Sequence, residues 1–108
     1  MSALKNALLL KALNGVAASL TPFCLIAQAG THLPDYTKLR DKYTFFERCE
    51  NPELATTITV MPVDQLGVDA AIIFSDILVV PQAMGMEVHL VEKIGPLLPT
   101  PIKSAHYL

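Results

Sequence analysis

Two short apolar runs constrain the fold of this chain most strongly. Residues 23–27 and 68–74 are nearly uninterrupted by polar side chains, and each has the length of a single strand. Such runs are typical of strands that are buried on both faces of a parallel sheet. Polar residues follow each run, with Gln28 after the first and Asp76 shortly after the second. Because parallel strands end at the same edge of a sheet, we expect Gln28 and Asp76 to lie on a common rim.

The segments before and between these runs predict helices. Ser2 can cap a leucine-rich, packed helix that extends to about residue 13, where Gly15 provides a stop. From Asp35, apolar residues recur at helical spacing as far as Phe46, which predicts one continuous amphipathic helix. The charged side chains of residues 38–48 are expected to form its solvated face.

A further helix is predicted to start at Asn51, which is a favourable cap before a proline and an acidic residue. Pro62 should kink or end that helix. Beyond the second run we predict a short helical turn over 81–85 and a half-exposed strand over 87–92. The proline-containing tail, 95–101, is expected to be extended or irregular.

The order helix, strand, two helices, strand indicates an α/β protein with right-handed crossovers. A complete (β/α)₈ barrel of the TIM type requires about 250 residues or more. The 108 residues therefore predict one segment, 1–108, that forms the opening part of an incomplete barrel. This segment would contain two parallel inner strands with flanking helices and a small peripheral hairpin.

Composition limits the possible partners. Hydrophobic residues make up 52% of the chain, charged residues only 17%, and the mean hydropathy is +0.42, which suits an oligomer or part of a larger protein. The net charge is −2 and no basic run is present, so nucleic acid is not an expected partner. Residues 12–34 carry no charge, but polar residues and a proline interrupt them, so neither a membrane span nor an export signal is expected.

The cysteines and histidines do not indicate a metal site. Cys24 and Cys49 belong to no C-x-x-C motif, which favours thiols in the reducing environment of the cytoplasm. His89 and His106 have no ligand spacing with each other or with a cysteine. The methionines at 61, 84 and 86 are expected to fill the core.

Two sequence blocks resemble the signature of the uroporphyrinogen decarboxylase family. The first is Gln-Ala-Gly at 28–30 followed by Leu-Pro-Asp-Tyr at 33–36, similar to the family's Arg-Gln-Ala-Gly-Arg-Tyr-Leu-Pro-Glu-Tyr. The second is Asp-Ala-Ala-Ile-Ile-Phe-Ser-Asp-Ile-Leu at 69–78, which is similar to the family's Asp-Ala-Ala-Ile-Leu-Phe-Ser-Asp-Ile. Both occur in the family's order and at its separation. The likeness extends from about residue 4 to residue 102.

The resemblance implies a decarboxylase of the haem pathway that works without a cofactor on a (β/α)₈ barrel, usually as a dimer. Such enzymes convert uroporphyrinogen III into coproporphyrinogen III. Asp76 matches the family's catalytic aspartate, whose carboxylate would stabilise positive charge on a protonated pyrrole. The same resemblance implies that the tetrapyrrole is bound by Gln28, Ala29, Gly30, His32, Phe74 and Ser75.

The chain departs from the family pattern where the substrate carboxylates should be held. Ala27 and Thr31 replace two arginines, and His32 replaces a tyrosine. A hydrogen bond to a charged group contributes about 1.5–3 kcal/mol, so losing two could weaken binding by roughly 3–6 kcal/mol. Further family residues near the substrate lie beyond residue 108. We therefore expect this chain to be inactive by itself.

Simpler roles remain open. Asp76 could cap the turn that follows Ser75, and His32 could be a solvated loop residue. The whole chain could be a non-catalytic module, natural or engineered, that retains the opening segment of the fold to assemble with itself or with a complementary barrel fragment.

Overall fold

The elements of the chain belong to two compact units, Met1–Phe74 and Ser75–Leu108. The computed structural model describes residues 7–25, 32–91 and 93–104. The described helices of the first unit are α1 (Leu8–Leu13), α2 (Pro34–Lys42), α3 (Phe45–Glu50) and α4 (Pro52–Leu66). The described elements of the second unit are α5 (Val79–Ala83), β1 (His89–Val91) and β2 (Gly95–Leu97).

Helix α1 is not packed as the leucine run predicted. None of its residues is buried, and the side chain of Leu13 is 73% exposed. Gly15 follows the helix with φ of +68°, which agrees with the predicted stop. The predicted cap, Ser2, lies outside the described residues.

The predicted continuous helix from Asp35 to Phe46 is wrong, because the backbone breaks between α2 and α3. Tyr43 is extended, and Thr44 caps α3. The Thr44 hydroxyl accepts a hydrogen bond from the N–H of Glu47 at 3.3 Å, and the Glu47 carboxylate accepts one from the N–H of Thr44 at 2.7 Å. This reciprocal capping box starts a new helix where the apolar spacing alone suggested continuity.

Helix α4 begins as predicted but does not end at Pro62. The Asn51 side chain accepts hydrogen bonds from the N–H groups of Glu53 and Leu54, at 2.9 and 3.2 Å. The helix then continues through Pro62 to Leu66. A proline removes one helical hydrogen bond, and the burial of Ile58 and Met61 on the same helix offsets that loss. Gly67, with φ of +69°, ends α4 in the left-handed conformation.

The core of the first unit lies between α2 and α4. It consists of Leu33, Tyr36, Ile58 and Met61, with Leu39 and Phe74 packed against it. Met61 is therefore a core residue as predicted, whereas Met84 in the second unit is 70% exposed, so its predicted core role is wrong. No described side chain is less than 2% exposed, so the described part of the core is thin.

The two predicted parallel strands are not formed in the described part of the chain. Residues 23–25 and 68–74 are neither strand nor helix, and residues 26–27 lie outside the described ranges. The two stretches do meet: the N–H of Asp69 donates to the carbonyl of Phe23 at 2.9 Å, and the N–H of Phe23 donates to the Asp69 carboxylate at 3.0 Å. An inner strand requires hydrogen-bonded neighbours and two covering layers, yet Ile73 is 76% exposed.

The predicted hairpin is confirmed in the second unit. Strands β1 and β2 pair antiparallel, with His89 opposite Leu97 and Val91 opposite Gly95. Residues 95–97 lie in the tail that was predicted to be extended or irregular, and they are extended as strand β2. A proline is compatible with this strand, because both strands of a two-stranded sheet are edge strands. Helix α5 begins two residues earlier than the predicted turn.

The longest described helix, α4, has 15 residues. Within the described ranges, no helix combines the length and apolar character needed to cross a membrane.

Candidate functional site

The candidate site residues fall into a described and an undescribed group. Those that lie outside the described residues are Ala27, Gln28, Ala29, Gly30 and Thr31. Their predicted rim position relative to Asp76 therefore stays a prediction. The described candidates are His32, Phe74, Ser75 and Asp76.

Asp76 is half-buried at the start of the second unit, where it caps a local turn. Its Oδ1 accepts a hydrogen bond from the N–H of Leu78 at 2.8 Å, and its carbonyl accepts one from the N–H of Val79 at 3.3 Å. The simpler capping role is therefore present. A carboxylate can accept about four hydrogen bonds, so the bond from Leu78 does not use all the acceptor positions of the Asp76 carboxylate. Ser75, next to it, is exposed.

His32 and Phe74 differ in their surroundings. His32 is exposed in the turn just before α2. Phe74 is half-buried, and its ring lies 6.1 Å from the ring of Tyr36 and 5.8 Å from that of Phe45. These contacts join the phenylalanine to α2 and α3, and its predicted contact with substrate stays a prediction.

Arg48 in α3 is the functional candidate that the sequence did not indicate. It is only 5% exposed, and its guanidinium carbon lies 5.3, 5.8 and 5.6 Å from the rings of Tyr36, Phe45 and Phe74. Its Nη1 donates to the Tyr36 hydroxyl at 2.7 Å, and its Nε donates to the carbonyl of Thr44 at 3.2 Å. A planar guanidinium that stacks on rings while donating at its edge uses both properties that distinguish arginine from lysine.

We call Arg48, Tyr36, Phe45 and Phe74 the Arg48 cluster. Its existence corrects the prediction that the charged residues of 38–48 all form a solvated face. The helical spacing of Phe45 and Arg48, three residues apart, was a local signal that these side chains could meet. Nothing local indicated that Tyr36 and Phe74 would complete the cluster.

The main chain of Phe74 is held by α4. Its N–H donates to the hydroxyl of Thr59 at 2.8 Å, and the same hydroxyl donates to the carbonyl of Ala55 at 2.7 Å. The end of the 68–74 run is thus attached to a helix side chain, and the run makes no strand ladder there.

A polar network lies at the edge of an open groove between α2 and α4. The groove has a volume of about 640 Å³. Asp35 accepts hydrogen bonds from Lys38 at 2.8 Å and from Gln65 at 2.9 Å. The hydrogen bond from Lys38 is the main cause that lowers the pKa of Asp35, followed by that from Gln65.

Within residues 7–25, 32–91 and 93–104, no group of three or more histidine, cysteine, aspartate or glutamate side chains could hold a metal ion. His89 lies 2.7 Å from the carboxylate of Glu87. No disulfide joins Cys24 and Cys49.

Comparison with known proteins assigns the chain to one protein family. The model of the uroporphyrinogen decarboxylase family matches residues 4–108. A uroporphyrinogen decarboxylase from Christiangramia forsetii is 59% identical over 101 residues, which cover 94% of this chain and 30% of the relative. Relatives of the same name from Flavobacterium johnsoniae and Chloroherpeton thalassium are 57% and 51% identical and are covered to 30% and 29%.

The chain belongs to the uroporphyrinogen decarboxylase family, as the two signature blocks indicated. It spans about 30% of the length of the curated relatives that it matches.

Proposed function

We propose that this chain supplies the N-terminal segment of a cytoplasmic uroporphyrinogen decarboxylase that works without a cofactor. The substrate is uroporphyrinogen III, and the product is coproporphyrinogen III. The observation that carries the proposal is the family match across residues 4–108, which includes the Ser-Asp block containing Asp76.

The chemistry needs one well-placed anion. Protonation of a pyrrole ring turns it into an electron sink, so the bond between the acetate methylene and its carboxylate can break and release CO₂. The electron pair enters the ring, protonation of the methylene carbon gives a methyl group, and loss of the first proton from the ring restores the neutral pyrrole. Asp76 would stabilise the positive charge that the ring carries during this step. The N–H of Leu78 occupies one acceptor position of this carboxylate, and the others would be available to the substrate.

The substrate carboxylates would be held weakly by this chain. Arginine binds carboxylates through two parallel hydrogen bonds, and neither Ala27 nor Thr31 can form them. We therefore propose that binding or turnover is reduced by roughly 10² to 10⁴-fold relative to a chain with both arginines.

The apolar surface of the first unit supports assembly with further protein. Ile73 is 76% exposed, and Ile72 and Phe23 are also exposed. We propose that a complementary part of the barrel, or a second copy of this chain, covers these residues and forms the parallel strand pairs that 68–74 lacks here.

The proposal is tested by mixing the chain with the remaining barrel segment of the Christiangramia forsetii relative. Conversion of uroporphyrinogen III to coproporphyrinogen III would be measured for the chain as it is and for the Ala27→Arg, Thr31→Arg double variant. We expect no turnover by the chain alone and turnover by the mixture that rises when the arginines are restored. Absence of product in every combination would refute the proposal.

A non-catalytic assembly module is the second candidate, and the missing arginines together with the exposed apolar residues favour it. It predicts association of the chain without turnover in any mixture. Size-exclusion chromatography tests the association itself, because a monodisperse monomer would contradict both the module and our claim that the apolar residues need a partner.

A further inference from the structure

Helix α1 presents leucine side chains to solvent. None of its six residues is buried, and Leu10 and Leu13 are 48% and 73% exposed. The two leucines are three positions apart, so they lie on one face of the helix, and Lys11 is exposed beside Leu10. A helix of this length is only marginally stable in water unless tertiary contacts cover its apolar face. Helix α1 therefore has the properties of a segment that packs against another surface.

The groove between α2 and α4, in the same compact unit, has the complementary properties. It is open, with a volume of about 640 Å³. Its apolar lining residues are Leu39, Val60 and Met61. Its charged lining consists of two aspartates and one lysine, so the groove is formally negative. Lys38 is paired with Asp35 at 2.8 Å, which leaves the negative charge of the groove at Asp64, an exposed residue near the end of α4.

We propose that two copies of this chain form a dimer in which the α1 helix of each copy occupies the α2–α4 groove of the other. Leu10 and Leu13 contact the apolar lining, and Lys11 lies beside Asp64 of the other copy. Docking of a short amphipathic helix in an apolar groove uses anchors at this spacing. The exchange is reciprocal, so both surfaces of each copy are covered and the assembly closes at two chains.

The chemistry of the two surfaces favours a second copy as the occupant. An apolar helix with one lysine meets an apolar groove with a net negative charge, so hydrophobicity and charge agree. Helix and groove belong to the same chain and are therefore present in equal numbers. Helix α1 does not line the groove of its own copy, since the described lining residues belong to α2 and α4. The contact involves none of the candidate site residues, so this inference does not rest on the proposed function.

A charge-exchange experiment tests the contact, with the association constant of the whole chain measured by sedimentation equilibrium. Lys11→Glu brings two acids together in the contact, and Asp64→Lys brings two bases together. Each variant alone should therefore associate roughly tenfold more weakly than the unchanged chain. An equimolar mixture of the two variants should recover the association to within about threefold, because each α1 then meets a groove of opposite charge in the other variant.

Glu50→Lys is the matched control for Asp64→Lys. It makes the same change of charge at an exposed position that does not line the groove, so the association constant should stay within about twofold of that of the unchanged chain. Recovery in the mixture also separates the dimer from an α1 helix that folds into the groove of its own copy, because a contact within one chain gains nothing from a second variant.

A second pair of variants tests the apolar part of the contact without changing any charge. Leu13→Ala should weaken association roughly tenfold, since the side chain becomes covered only in the dimer. Leu20→Ala removes the same atoms from a side chain that is 70% exposed outside α1, and it should leave association within about twofold. Circular dichroism of each variant shows whether the helices are retained.

Several results would overturn the inference. They are a monomer at every concentration, equal association of Leu13→Ala and Leu20→Ala, and a mixture of the charge variants that associates no better than either variant alone. If the remaining barrel segment of the relative occupies the groove instead, Lys11→Glu and Asp64→Lys would leave self-association unchanged and weaken binding of that segment, which also contradicts the dimer.

Discussion

Truncation of Arg48 to alanine should destabilise the first unit strongly. The Tyr36 hydroxyl would lose a charge-assisted hydrogen bond worth about 1.5–3 kcal/mol, and the stacking on three rings would lose about 0.5–2 kcal/mol. Release of the guanidinium from a buried position offsets part of this loss. We therefore expect the free energy of unfolding to fall by about 2–4 kcal/mol.

Urea unfolding followed by far-ultraviolet circular dichroism measures this change, with Arg40→Ala as the control. The Arg40 side chain is 50% exposed and lies 3.5 Å from Asp41, so its removal should change stability by less than about 0.5 kcal/mol. A double-mutant cycle of Arg48→Ala with Tyr36→Phe isolates the hydrogen bond and should give a coupling energy of about 1–2 kcal/mol. An Arg48→Ala variant as stable as Arg40→Ala, or zero coupling, would refute the role assigned to the cluster.

Three local features give further predictions. Asn51→Ala removes the acceptor of two N–H groups at the start of α4 and should lower the unfolding free energy, measured in urea, by about 1 kcal/mol; a neutral effect would contradict the cap. Gly67→Ala meets no neighbouring atom but places a Cβ at φ of +69°, so thermal unfolding should show a loss of about 1 kcal/mol, and an unchanged melting temperature would show that this conformation is not needed. The hydrogen bond from the Thr44 N–H, and then that from its hydroxyl, lowers the pKa of Glu47 below 4.5. The stability from this bond should therefore be complete above pH 4.5 and be lost as the pH falls through the lowered value. Carboxyl chemical shifts measured by NMR check this, and a Glu47 titration at or above its ordinary pKa would contradict it.

Local structure that depends on residues close together in the sequence was predictable. The cap at Asn51 and the stop at Gly15 follow from the hydrogen-bonding and backbone preferences of single residues. The break at Thr44 was also encoded locally, in the Thr-x-x-Glu pattern of a capping box, but the apolar spacing across it dominated the prediction. The family was predictable because its two signature blocks are contiguous in the sequence.

Contacts between residues that are far apart in the sequence were not predictable in the same way. Arg48 meets Tyr36 from 12 positions away and Phe74 from a greater separation, and no local pattern specifies those contacts. The strand prediction for 68–74 failed for a related reason. Its apolar composition matches a doubly covered strand, whereas the hydrogen-bonding neighbours and covering layer that such a strand requires are lacking in the described part of this chain, and Thr59 satisfies the Phe74 N–H.

The catalytic role of Asp76 is the claim most directly open to measurement. The rate of coproporphyrinogen III formation would be compared for Asp76 and Asp76→Asn in the mixture with the relative's barrel segment, with arginine at positions 27 and 31. Asparagine keeps the acceptor for the N–H of Leu78 but removes the negative charge, so we expect the rate to fall roughly 100-fold or more. Equal rates for the two chains would show that the carboxylate serves only the local turn.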